Sequence, residues 1–120
     1  MEHNLPDVHL HLGHERRTAG SGGVHPHLHP VKQIVQADIP LAGPDEVDEA
    51  VAKAEAVEDK WRRTAPEVRR DILARLAQLI SDNRDEFARL AALDGGTPVM
   101  LGERGADMAA SWARYYAGWC

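Results

Sequence analysis

One hundred and twenty residues make one domain at most, and a net charge of −5 with 28% charged residues of both signs gives a mixed surface without the basic stripe of a nucleic-acid binder. The single cysteine, Cys120, excludes an internal disulfide framework and fits a reducing compartment, and no apolar run reaches the roughly 18 residues of a membrane span. The opening MEHNLPDVHLHLGHERR lacks a basic start followed by an apolar core, so no secretion signal is read and cytoplasmic residence is the default expectation.

The first forty residues carry all seven histidines and the glycine-rich patches LGH and AGSGG, with no helical periodicity. KQIVQADIPLAG, rich in Ile and Val and stopped at Pro40, predicts a strand. GGVHPHLH is its candidate hairpin partner, with Pro26 confining that arm to an edge. From Pro44 the pattern turns helical. GPDEVDEAVAKAEAVEDKW puts Val47, Ala50, Val51, Ala54, Val57 and Trp61 on one face, with Asp45, Glu46 and Asp48 in the first turn, where the helix dipole favours acids. The next helix opens at Pro66, a residue suited to the first helical position. Ile72, Leu73, Leu76, Leu79 and Ile80 form its apolar stripe, and Phe87, Leu90 and Leu93 continue it in nearly the same phase. SDN between them predicts a break, with Ser81 or Asp82 capping the second part. Gly95 and Gly96 end that helix, and Pro98 confirms the stop. A last helix carries Met108, Ala109, Trp112, Tyr115, Tyr116 and Trp119 on one side. The expected organisation is a His- and Gly-rich stretch, 1–23, followed by a mostly helical body, 24–120, that starts with a short β-hairpin.

Little in this chain is equipped for chemistry. HLH at 9–11 and HPHLH at 25–29 would place imidazoles on one face of a strand, where two could share zinc or nickel. No cysteine accompanies them and no helical His-x-x-x-His exists, so a polar histidine-rich edge is the favoured reading and no metal residue is assigned. Cys120 would sit at a helix C-terminus, where the dipole disfavours a thiolate, and is read as a packing residue. Gly20 and Gly22 lack the third glycine and the following helix of a phosphate loop, and read as a flexible turn. The acid pairs Glu46 with Glu49 and Asp82 with Asp85 read as solvated helix faces, as do Arg62, Arg63, Arg69 and Arg70. Trp112, Tyr115, Tyr116 and Trp119 could stack on a ligand, but such a stripe more often belongs to a core or an interface.

Each helix has one apolar face, and a lone hairpin offers them little to pack on. The closing RYYAGWC brings aromatics to a terminus with no partner downstream, so the chain reads as the opening segment of a larger enzyme.

The order of three stretches carries a resemblance: IPLAGPDEVDEAVAKAEAVEDKWRR, then PEVRRDILARLAQLISDNRDEFARLAALDGGTPV, then RYYAGW. It resembles the N-terminal part of the aldehyde dehydrogenase superfamily. There a strand ending in a proline-containing segment precedes a DVDxAVxAA helix and a tryptophan. An arginine-rich helix with LxRLAxLI follows, then an acidic element ending in LDxGKP, then a YYAGW helix. The resemblance covers Val24 to Cys120 and extends weakly to Gly13, where the family has an INGE hairpin.

The resemblance implies an α/β fold, with this segment as the start of a Rossmann-like NAD-binding domain. It implies an enzyme that oxidises an aldehyde to an acid with NAD or NADP, through a cysteine thioester. The family's nucleophile, oxyanion amide, glutamate and cofactor loop follow YYAGW, so no catalytic, cofactor-binding or metal residue is carried over, and the 120 residues alone are expected to be inactive and to bind NAD weakly. The implied partners are an aldehyde and further copies of the whole enzyme, with no nucleic acid or membrane. A non-catalytic helical module docking through the aromatic face is the alternative. Two departures stand out. The family's NPATGE turn reads HPVKQI at His29–Ile34, without the asparagine and glycine, so another turn shape is expected. The aspartate near which some members hold a monovalent cation falls at Gly105 or Ala106, with Asp107 off register, so no cation is expected.

Overall fold

The computed structural model describes residues 5–120, which divide into two compact units, one ending at Arg63 and one running Thr64–Cys120. His3 lies outside the described residues.

The first unit contains two antiparallel hairpins and a helix. Strand β1, Leu10–Leu12, pairs with β2, Glu15–Arg17, in the register Leu10 to Arg17. The two-residue connection puts Gly13 first, at φ 66, the left-handed conformation that tight hairpins reserve for glycine. The residue pattern alone gave no strand here; only the resemblance reached Gly13. Three-residue strands are too short to show alternation. Leu12 points inward and is 3% exposed, the unit's anchoring apolar side chain.

Strand β3, Val24–Leu28, pairs with β4, Val35–Pro40, so both arms of the expected hairpin form. The connecting turn solves the loss of asparagine and glycine with other side chains. His29 Nδ1 accepts from the amides of Val31 at 3.1 Å and Lys32 at 3.2 Å, as an asparagine oxygen would. Gln33 occupies φ 55, where a glycine would sit without strain. AGSGG is pinned rather than loose. The Gly22 amide donates to Leu41 O at 3.1 Å, and a Cβ at Gly22 would meet Ala42 O at 2.6 Å. These glycines admit the backbone of Leu41 and Ala42, which follows β4.

Helix α1 spans Pro44–Arg62. Its third residue, Glu46, turns back to accept from the Gly43 amide at 2.7 Å, satisfying a donor at the helix start.

The second unit is three helices: α2 Pro66–Asp82, α3 Arg84–Gly95 and α4 Val99–Ala117. The break between α2 and α3 falls at Asn83, so neither Ser81 nor Asp82 caps α3. Both side chains are engaged elsewhere: Asp82 accepts from Gln78 at 2.7 Å, and Ser81 Oγ accepts from Arg114 at 2.8 Å. Asn83 Nδ2 donates to Leu79 O at 2.8 Å and closes α2 from its own C-terminus. Gly96, at φ 70, ends α3 in the left-handed conformation.

Helix α4 packs on both α2 and α3, and the seam is built of small residues. Ala77, Ala88, Ala106, Ala110 and Ala117 are buried, with Leu93 the one large side chain among them. Small side chains let the backbones approach closely. Several large apolar residues of the predicted stripes stay half in water: Ile72 is 48% exposed, Leu76 45% and Phe87 48%.

Candidate functional site

The largest run of exposed aromatic surface lies along α4. Residues 108, 112, 115, 116 and 119 follow one helical face, as the sequence predicts. That face points away from α2 and α3, because the alanine face of the same helix occupies the seam. Trp112 and Tyr116, one turn apart, stack with centroids 6.0 Å apart and planes at 20°. Tyr115 meets Tyr116 edge-on at 5.2 Å, and Trp119 at 5.8 Å with the planes tilted by 52°. Met108, Ser111, Trp112, Tyr115 and Tyr116 line an open groove of about 530 Å³. The Ser111 hydroxyl donates to Asp107 O at 2.9 Å, within its own helix. A second apolar groove on α2 is lined by Val68, Ile72, Leu76 and Leu79, with Asp71 and Arg75 at its edge.

Charged side chains hold the helix that carries this face. Arg84 reaches Asp107 at 3.1 Å and Glu103 at 3.0 Å, joining α3 to α4. Its pKa is raised, first by the hydrogen bond it donates to the Asp107 carboxylate. Arg114 ties α4 to α2 through Ser81. The aromatic groove contains no carboxylate, imidazole or thiol beside its Ser111 and tyrosine hydroxyls, and the Ser111 hydroxyl is bonded within its own helix, so the surface suits contact with apolar or ring-bearing groups.

The other predicted positions scatter. His9 Nδ1 lies 3.0 Å from Asp7 O. His11 and His14 border a depression formed with Gly13, Ala50, Lys53 and Val57. His25 and His27 lie on β3, and His29 closes the next turn. Among the described residues no group of three or more His, Cys, Asp or Glu comes together to hold a metal. Cys120 is exposed, with Sγ 3.7 Å from Tyr116 O, so within this chain it is not the packing residue the sequence suggested.

The acid pair Glu46 and Glu49 is not a solvated face. Glu46 accepts from the Ser21 hydroxyl at 2.6 Å and the Ser21 amide at 2.8 Å. Those bonds and the Gly43 amide hold its pKa down at about 2. Glu49 takes both arms of the Arg17 guanidinium, at 2.8 and 2.7 Å. Lys53 bridges Glu49 and Glu15, each at 2.8 Å, and Arg17 closes the ring on Glu15. The Lys53 ammonium, then the Arg17 guanidinium, hold Glu15 at about 2. Glu49 is lowered first by Arg17, and Lys53 is raised first by Glu15. This ring fastens the β1–β2 hairpin to α1. The sequence held one signal for it, the Glu49–Lys53 spacing of four on a helix.

Comparison with known proteins adds a family to this geometry. The Aldehyde dehydrogenase family profile matches residues 18–120. The chain is similar to a phenylacetaldehyde dehydrogenase of Pseudomonas fluorescens, 41% identical over 87 residues, covering 68% of this chain and 17% of that protein. Among solved structures it is similar to an aldehyde dehydrogenase from Bacillus cereus, with a TM-score of 0.84, 28% identity, and coverage of 95% of this chain and 24% of that one. It also superposes on PnpE in complex with nicotinamide adenine dinucleotide, with a TM-score of 0.88, 25% identity, and coverage of 94% of this chain and 23% of that one. The chain thus spans about a fifth of the length of the proteins it matches.

Proposed function

The chain belongs to the aldehyde dehydrogenase family, and on that premise we propose that it serves as the opening part of an NAD- or NADP-dependent enzyme that oxidises an aldehyde to a carboxylic acid. Its part is architectural. Residues 24–120 would begin the NAD-binding domain, with 1–23 as a variable lead-in. The observation that carries this reading is the unmet apolar surface: Trp112 at 54% exposure, on a helix whose opposite face is already packed, and Trp119 at 73% just past its end. Such a face is built to be covered.

The residues present do not fit the dinucleotide. Gly20 and Gly22 are taken up by the backbone of Leu41 and Ala42, and no other glycine cluster opens a helix. No step of the oxidation is therefore assigned to this chain's side chains. In the family reading the cofactor accepts a hydride, while a cysteine and a glutamate beyond this segment form and release the acyl group. The whole enzyme is proposed to act in the cytoplasm as a homo-oligomer, without nucleic-acid or membrane partners. Among the described residues no helix is long and apolar enough to cross a membrane.

The test is direct. The purified 120-residue chain, mixed with phenylacetaldehyde and NAD or NADP, is expected to produce no reduced nicotinamide absorbance. Turnover would overthrow the architectural role. The reading frame beyond the Cys120 codon is expected to continue into a glycine-rich cofactor loop and a nucleophilic cysteine, and a stop codon there would count against the enzyme reading. A second reading, a helical interaction module, draws on the same exposed face. Concentration-dependent self-association, abolished by Trp112→Ala, would favour it.

A further inference from the structure

We draw no further inference here: the strongest candidate, the imidazole pair His11 and His14 at the depression between the β1–β2 hairpin and α1, gains no third ligand among the described residues, and the nearby Glu15 and Glu49 carboxylates are committed to Arg17 and Lys53.

Discussion

Two glycines three residues apart on α4 should respond oppositely to the same substitution. At Gly102 an added Cβ would lie 2.8 Å from Ala88 Cα and 3.2 Å from Ala88 O, inside the backbone of α3. At Gly105 it would meet nothing within 4 Å. Alanine is favoured over glycine in a helix interior by about 1 kcal/mol, and this gain applies to both sites. Overpacking a close helix contact costs about 1–3 kcal/mol, and this cost applies only at Gly102. Gly105→Ala is therefore expected to stabilise the helical unit by up to about 1 kcal/mol. Gly102→Ala is expected to be neutral or to destabilise it by up to about 2 kcal/mol, the steric cost less the propensity gain. The difference between the two variants isolates the steric contribution, since propensity cancels. Urea unfolding of each purified chain, followed by far-UV circular dichroism, reads that difference. With a slope of about 1 kcal/mol/M for a small unit, the midpoints should separate by about 1 M or more. If both midpoints rise together, α4 does not cross α3 at Ala88, and the small-residue seam is wrong.

Other consequences are as concrete. Replacing Gln33 with glycine relieves a left-handed side-chain conformation and should stabilise the β3–β4 hairpin by about 0.5–1 kcal/mol after glycine's entropy cost, read as a higher midpoint; a lower one would contradict the turn geometry. The folded-state pKa values of Glu15 and Glu46, about 2, lie below the ordinary 4.5, so the stability these groups contribute is complete above pH 4.5 and is lost as pH falls from there towards 2. The protection factors of the Ser21 and Gly43 amides, taken against the intrinsic exchange rate at each pH, should fall through that window, and Glu46→Gln should lower them at neutral pH; unchanged protection in the variant would refute the clasp. Trp61, Trp112 and Trp119 should all be quenched by acrylamide in the 120-residue chain, and a shielded, blue-shifted emission would show that the aromatic face is covered within it.

The helices were legible because their signals are local. Pro44 and Pro66 open helices, Gly96 closes one, and a period of 3.6 runs between them. The β3–β4 hairpin was legible for the same reason, through its Ile/Val run and the stop at Pro40. What escaped depends on distant partners. The β1–β2 hairpin is held by Arg17 and Glu15 reaching Glu49 and Lys53, more than thirty positions on, which no spacing rule reveals. The AGSGG turn reads as loose because its glycines make room for Leu41 and Ala42, just past β4 and some twenty positions away. The cap between α2 and α3 was misplaced because Ser81 and Asp82 were competing for bonds to Arg114 and Gln78.

Helix α4 has a second apolar face that periodicity did not mark: the aromatic stripe reads as core or interface, and the alanine face beside it goes unseen. Trp, Tyr and Met carry more apolar surface per side chain than alanine, so the aromatic side is the stripe that stands out in the sequence. The chain instead buries Ala106, Ala110 and Ala117, because close backbone approach requires small side chains. Three of the helix's four charges are spent on that same side: Glu103 and Asp107 hold Arg84, and Arg114 reaches Ser81. A helix with a packed small-residue face and an aromatic face opposite is apolar nearly all round. In a globular protein such a helix sits inside, with neighbours on both sides. Within the helical unit α2 and α3 cover the alanine side of α4, while the aromatic side stays exposed, with Trp112 at 54%.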